Sequence, residues 1–171
     1  MLASLRYWLT CWLTLTPHFT IGQPGRPQLL RWFILPRNHI CNLYLHKFLL
    51  DDEDRAVHDH PWNYWSWLIR GSYSEITMPA GAISTCQTVR RTWSVAAYPA
   101  THRHRVMLHK REDGTSIPCW TIVLTGPVIR TWGFWCPRGF VPWRDFLDHT
   151  NYGNVGRGCG EHEVDHAETQ V

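Results

Sequence analysis

Two short segments hold the residues best suited to chemistry, Val57-His58-Asp59-His60-Pro61 and Thr101-His102-Arg103-His104. Residues two apart on a strand project from the same face, so each pair sets two imidazoles side by side. Neutral imidazole ligates zinc, copper, iron and nickel, and two converging rings supply half of a site. Four of the eleven histidines fall in these pairs, each at the start of a β-rich run. A jelly roll or small barrel brings separate strands to one internal cavity. Asp59, between its two histidines, faces the opposite side and is given no metal role. His102 is placed to hydrogen-bond a ligand ring or to act as an acid/base near neutral pH. Glu75 is a fourth ligand or general base if it points inward, and a surface residue if it does not.

The elements that must position these groups are short strands split by turn signals. The runs 31–35, 40–49, 62–70, 73–78, 93–97, 103–108, 120–124 and 128–135 read as strands. Pro36-Arg37-Asn38, the acidic turn from Asp51, Arg70-Gly71-Ser72, Pro79-Ala80-Gly81, Glu112-Asp113-Gly114 and Gly126-Pro127 separate them. Many strands at this spacing indicate an all-β sandwich or barrel, not alternating βαβ units. Trp62, Trp65, Trp67, Trp120, Trp132 and Trp135 are expected to fill the core. Pro142 opens a short helix over 143–149, with Trp143, Phe146 and Leu147 at helical spacing. Residues 29–149 form the barrel and its short helix, 1–28 an N-terminal extension packed on it, and 150–171 a flexible acidic tail. That tail holds four glycines and His162 and His166, read as solvated.

Composition narrows the function classes. The chain has 171 residues, a net charge of +3, 18% charged residues and eleven tryptophans. This describes a compact globule and excludes a disordered chain. The charge is too small, and the arginines too dispersed, for a nucleic-acid face. The apolar run from Tyr7 to Leu15 is too short for a membrane span, and Trp8 and Trp12 lie four apart, as on one helix face. The six cysteines are scattered singly, without metal-finger spacing, and read as reduced thiols in a cytoplasmic protein. No phosphate-cradling glycine loop, GxSxG elbow or HExxH motif is present.

From His58 to Gly71 the chain resembles the first motif of the cupin superfamily, G(X)5HXH(X)3,4E(X)6G. His58 and His60 match its histidines and Gly71 its closing glycine, while Tyr64 stands at the glutamate position. The second motif, G(X)5PXG(X)2H(X)3N, is matched by Pro99 and His104, with Trp93, Thr101 and Leu108 at its other positions. The wider pattern, with IRGSYSE and WGFWCPRG, is similar to uncharacterised bacterial and phage cupin-like proteins. The resemblance implies a cupin-type double-stranded β-helix, a jelly-roll barrel with short N- and C-terminal helical extensions. It implies His58, His60 and His104 as ligands of a divalent transition metal, with Fe(II) favoured over zinc, manganese or nickel. Tyr64, Glu75 and His102 are the catalytic candidates around them. Three neutral ligands leave the ion's charge uncompensated, so an anionic small molecule is the expected substrate. The implied function is a metal-dependent enzyme, a three-histidine Fe(II) oxygenase. The alternative is a non-catalytic module holding a small ligand in a tryptophan-lined barrel. No nucleic-acid or membrane partner is expected, and a homodimer is the family-level expectation.

Overall fold

The computed structural model describes residues 2–52, 56–82, 84–148 and 154–160. Helix α1 (Leu2–Leu13) is followed by β1 (Phe19–Gln23), β2 (Arg26–Phe33), β3 (Asn42–Phe48), β4 (Val57–His58), β5 (Tyr64–Arg70), β6 (Ser72–Thr77) and β7 (Cys86–Arg91). The chain continues through β8 (Val95–Tyr98), β9 (His104–Leu108), β10 (Cys119–Thr125), β11 (Gly133–Cys136), β12 (Gly139–Pro142), α2 (Trp143–Phe146), β13 (Leu147–Asp148) and β14 (Asn154–Val155). One sheet has the order β1-β2-β3-β10-β5-β8 and the other β12-β11-β4-β9-β6-β7. All the pairings are antiparallel. The eight strands β3 to β10 divide between two four-stranded sheets, β3-β10-β5-β8 facing β4-β9-β6-β7, which is the strand order of a jelly roll.

Alternation along the strands supplies the core. Tyr44, Tyr64 and Val123 form one buried cluster, and Leu68, Tyr73, Val106, Leu108 and Cys119 another. The same alternation turns Trp65 and Trp67 outward, at 60% and 38% exposure, so they are not the core residues expected of them. The β5–β6 turn needs Gly71, whose φ of +87° is accessible to glycine at little cost and whose missing Cβ leaves room for Cys119.

Side chains complete the ladders where strands run out. Strand β4 is too short to serve all of β9, so Asp52 accepts from the Val106 N–H and Asp51 from the Leu108 N–H, each at 2.7 Å. Beyond the end of β1, His18 Nδ1 accepts the Phe33 N–H at 3.2 Å. The Phe33 carbonyl accepts both the Trp8 and Trp12 indole N–H groups, at 2.6 and 2.9 Å, which seats one face of α1 on β2. No helix among the described residues is long and apolar enough to cross a membrane.

Two expectations change at the C-terminal end. The helix expected over 143–149 stops at Phe146, and Leu147–Asp148 turns into β13, which pairs with β14. Within the stretch read as a loose tail, residues 154–160 therefore fold back on the barrel. There Cys136 and Cys159 form a disulfide, so these two are not the reduced thiols expected. Folding back brings a cysteine 23 residues away to the end of β11, a proximity that spacing alone does not reveal. His162 and His166 lie outside the described residues.

Asp59 is fully buried on the side of β4 opposite its neighbours. It pairs with Arg130 at 2.6 Å and accepts from Gly133 N at 2.9 Å and Trp135 Nε1 at 3.1 Å. Arg103 stacks on the outer face of the Trp135 ring, 3.2 Å from its centroid. We predict that Asp59→Ala lowers stability by about 3 kcal/mol, the low end for breaking a buried pair, because Arg130 keeps 29% of its side chain exposed. Denaturant unfolding measures it, and a loss under about 0.5 kcal/mol, typical of an ordinary surface change, would contradict this role.

Candidate metal centre

His58 and His104 are direct cross-strand partners on β4 and β9, and directly opposed residues share a face, so both rings enter the barrel. His60 follows two residues on, its backbone N–H held by the Ala100 carbonyl at 3.1 Å. The ring centroids of His58, His60 and His104 are each 5.1 Å apart. One ligand nitrogen from each lies within 4.8 Å of the others. His60 Nε2 and His104 Nε2 are 2.9 Å apart. Two imidazoles at right angles on one ion, each about 2.1 Å from it, would have nitrogens about 3.0 Å apart. The donor set therefore fits a divalent transition metal.

Glu75 fixes the orientation of His104. Its Oε1 accepts from His104 Nδ1 at 2.8 Å and from His102 Nε2 at 3.2 Å, and its Oε2 accepts from Tyr98 at 2.8 Å. With the proton on Nδ1, the Nε2 lone pair of His104 is aimed at the cluster, the arrangement in which a carboxylate orients a metal-ligating histidine. Burial alone would raise the Glu75 carboxyl, but the hydrogen bonds from His102 and His104 outweigh it and hold the group well below the carboxylate range. Glu75 is buried, so of the two placements left open by the sequence it takes the inward one. It lies behind the His104 ring, away from the point where the Nε2 atoms meet. Glu75, His102 and His104 also bring three donor atoms within 4.8 Å, and their hydrogen bonds account for that proximity. His102 is at the outer end of this chain, its ring 4.3 Å from that of Tyr98.

Tyr64, at the position of the motif glutamate, reaches the centre itself, its hydroxyl 3.2 Å from His104 Nε2. Burial and then the Glu75 charge push its phenol well above the usual value, so it remains an O–H donor. Burial, followed by the mutual repulsion of the rings, holds His60 well below its usual value; burial also lowers His104, against the pull of Glu75. These imidazoles are therefore neutral and able to ligate at neutral pH.

The cluster opens into a cavity of about 550 Å³ between the sheets, walled largely by apolar and aromatic groups that include Trp62, Trp132 and Phe134. The sequence reading missed a second polar group in this cavity, Arg31 with His46 and Thr121. Arg31 and His46 belong to the alternating inward rows Leu29-Arg31-Phe33 and Tyr44-His46-Phe48, so polar residues at core positions were the available signal.

No protein-family model matches the chain, and no curated protein does. Among solved structures, the chain is similar to the Fe(II) form of HppE, at 12% identity over 63% of this chain and 54% of that one, with a TM-score of 0.48. It is also similar to an uncharacterized protein with a double-stranded β-helix domain from Klebsiella pneumoniae, at 14% identity over 67% and 90% of the two chains, TM-score 0.47. The polyketide cyclase RemF from Streptomyces resistomycificus matches at 14% identity over 64% and 72%, TM-score 0.47. The chain spans about half the length of the HppE chain. At these similarities the fold rests on its own strand order. That order, with His58 and His104 opposed inside the barrel, makes the fold a double-stranded β-helix of the jelly-roll kind.

Proposed function

We propose that this protein is a metal-dependent cupin enzyme acting on a small molecule, with His58, His60 and His104 holding a divalent transition metal, iron first among the candidates. The reading rests on one observation above all. Two imidazole nitrogens, one from the segment just after β4 and one from β9, come within 2.9 Å of each other, and the β9 ring is oriented from behind by Glu75. Bound there, a divalent iron would supply Lewis acidity and dioxygen activation. Iron is preferred because three imidazoles without a carboxylate are similar to the ligand set of thiol dioxygenases.

The chain's own groups have separable roles. Glu75 keeps the His104 proton on Nδ1. Tyr64 offers a neutral O–H to a substrate oxygen beside His104 Nε2. Trp62, Trp132 and Phe134 exclude water from the reacting end of the cavity. His102 holds Glu75 from the outer side and is a positioning residue. The alternative of a binding module is favoured by the aromatic walls and is separated from the enzyme by turnover.

Protein purified without a histidine tag is expected to carry about one transition-metal ion per chain, and His58→Ala to remove it. Less than a tenth of an equivalent in both proteins would end this reading. Glu75→Gln is expected to weaken metal binding about 10- to 100-fold while leaving the far-ultraviolet spectrum unchanged. Dioxygen uptake by the iron-loaded protein with thiol or carboxylate substrates tests the oxygenase; tight binding without turnover would favour the module.

The pH dependence follows from the buried rings. His46, His60 and His104 titrate below the usual 6.5 when folded, so the unfolded chain binds more protons under acid conditions. Stability of the metal-free protein is therefore expected to be level above about pH 6.5 and to fall as pH drops below it. Urea midpoints at pH 7.5 and 5.5, at fixed ionic strength, measure this. Equal midpoints would contradict neutral burial of these rings.

A further inference from the structure

At the β1–β2 side of the same cavity, Arg31 enters from β2. It stands in one cross-strand row with His46 on β3 and Thr121 on β10. Its Nε donates to His46 Nε2 at 2.8 Å, and its guanidinium lies over the Tyr44 ring, 4.8 Å from the centroid. The His46 bond uses one of five N–H donors; no acceptor among the described residues takes those on the two terminal nitrogens. No carboxylate among the described residues pairs with it either. Asp52, which also lines the cavity, is engaged by Gln28 Nε2 and the Val106 N–H. A second cation, Arg37, bears on Arg31. Burial and Arg37 lower its pKa to about 10, so it is still charged at neutral pH. Thr121, on the far side of His46 in that row, is 2% exposed, and its hydroxyl has no partner among the described residues.

A cavity-lining guanidinium with unused terminal N–H groups and no counter-charge, in one row with an unsatisfied hydroxyl, suits an oxyanion. We propose that Arg31, steadied by His46 and assisted by Thr121, anchors the oxyanion of a small acid whose other end meets the histidine cluster. Arg31, His46 and Thr121 line the same cavity as His58, His60 and His104, so one small molecule can span the two ends. Between them the walls are apolar and aromatic, which suits an acid with an apolar or aromatic body. This assignment rests on the proposed function only in taking the cavity as the substrate site.

The test uses the full chain, as purified and after metal removal, titrated with benzoate, phenylphosphonate and the neutral benzyl alcohol. We expect at least one of the two acids to bind roughly tenfold or more tightly than the alcohol, with or without metal, and Arg31→Met to abolish the difference. A preference for phenylphosphonate would assign a tetrahedral oxyanion, and for benzoate a planar one. Should Arg31→Met fail to fold, Arg31→Lys and Thr121→Val carry the same test, with the advantage of the acid reduced in each. Equal binding of acids and alcohol, or an acid preference undiminished by these substitutions, would overturn the proposal. Acid preference in a protein that holds no metal would leave Arg31 as the anchor and remove the metal enzyme. Stoichiometric metal without acid preference would do the reverse.

Discussion

The direction in which Asp59 points decides the interior. Successive side chains of an extended segment face opposite sides, so fixing one residue outward fixes both neighbours inward. Asp59 is held on the outer side by Arg130, the Gly133 N–H and the Trp135 indole. A one-residue slip would carry a carboxylate into the barrel and two imidazoles out of it. Strand β4 is only two residues long and has little ladder of its own to resist such a slip. The specificity of the register therefore comes from a side chain.

Charge is distributed differently from the motif the chain resembles. Tyr64 occupies the carboxylate position and brings a phenol to the centre, while the negative charge is carried by Glu75 behind His104. The cluster thus has its anion one ring away, where it polarises His104 without facing the other two imidazoles. Across the cavity Arg31 adds a cation that no described carboxylate pairs. The modest net charge of the chain does not reveal this internal cation.

The sequence carried the histidine convergence because the two HxH spacings encode it directly, and strand alternation is a local property. Gly71 was legible for the same reason, since only a tight turn with positive φ connects β5 to β6. Strand β7, polar and exposed along nearly its whole length, has no hydrophobic alternation to betray it. The inward position of Arg31 was hidden by reading β2 as starting at that residue, when it starts five residues earlier. Glu75 could not be placed without knowing that β6 lies beside β9, a pairing between segments thirty residues apart. Trp65 and Trp67 show the opposite error, in which a large ring was taken for a core ring although its parity on β5 sends it outward.

The Cys136–Cys159 bridge closes a loop that contains β12, α2, β13 and β14. Trp143 and Leu147, which wall one side of the cavity, belong to that loop. The opposite side is walled by strands held in a continuous ladder. One flank of the chamber is thus kept in place by contacts that proton activity and water can loosen, whereas the other is additionally sutured by a link that only a reductant can cut.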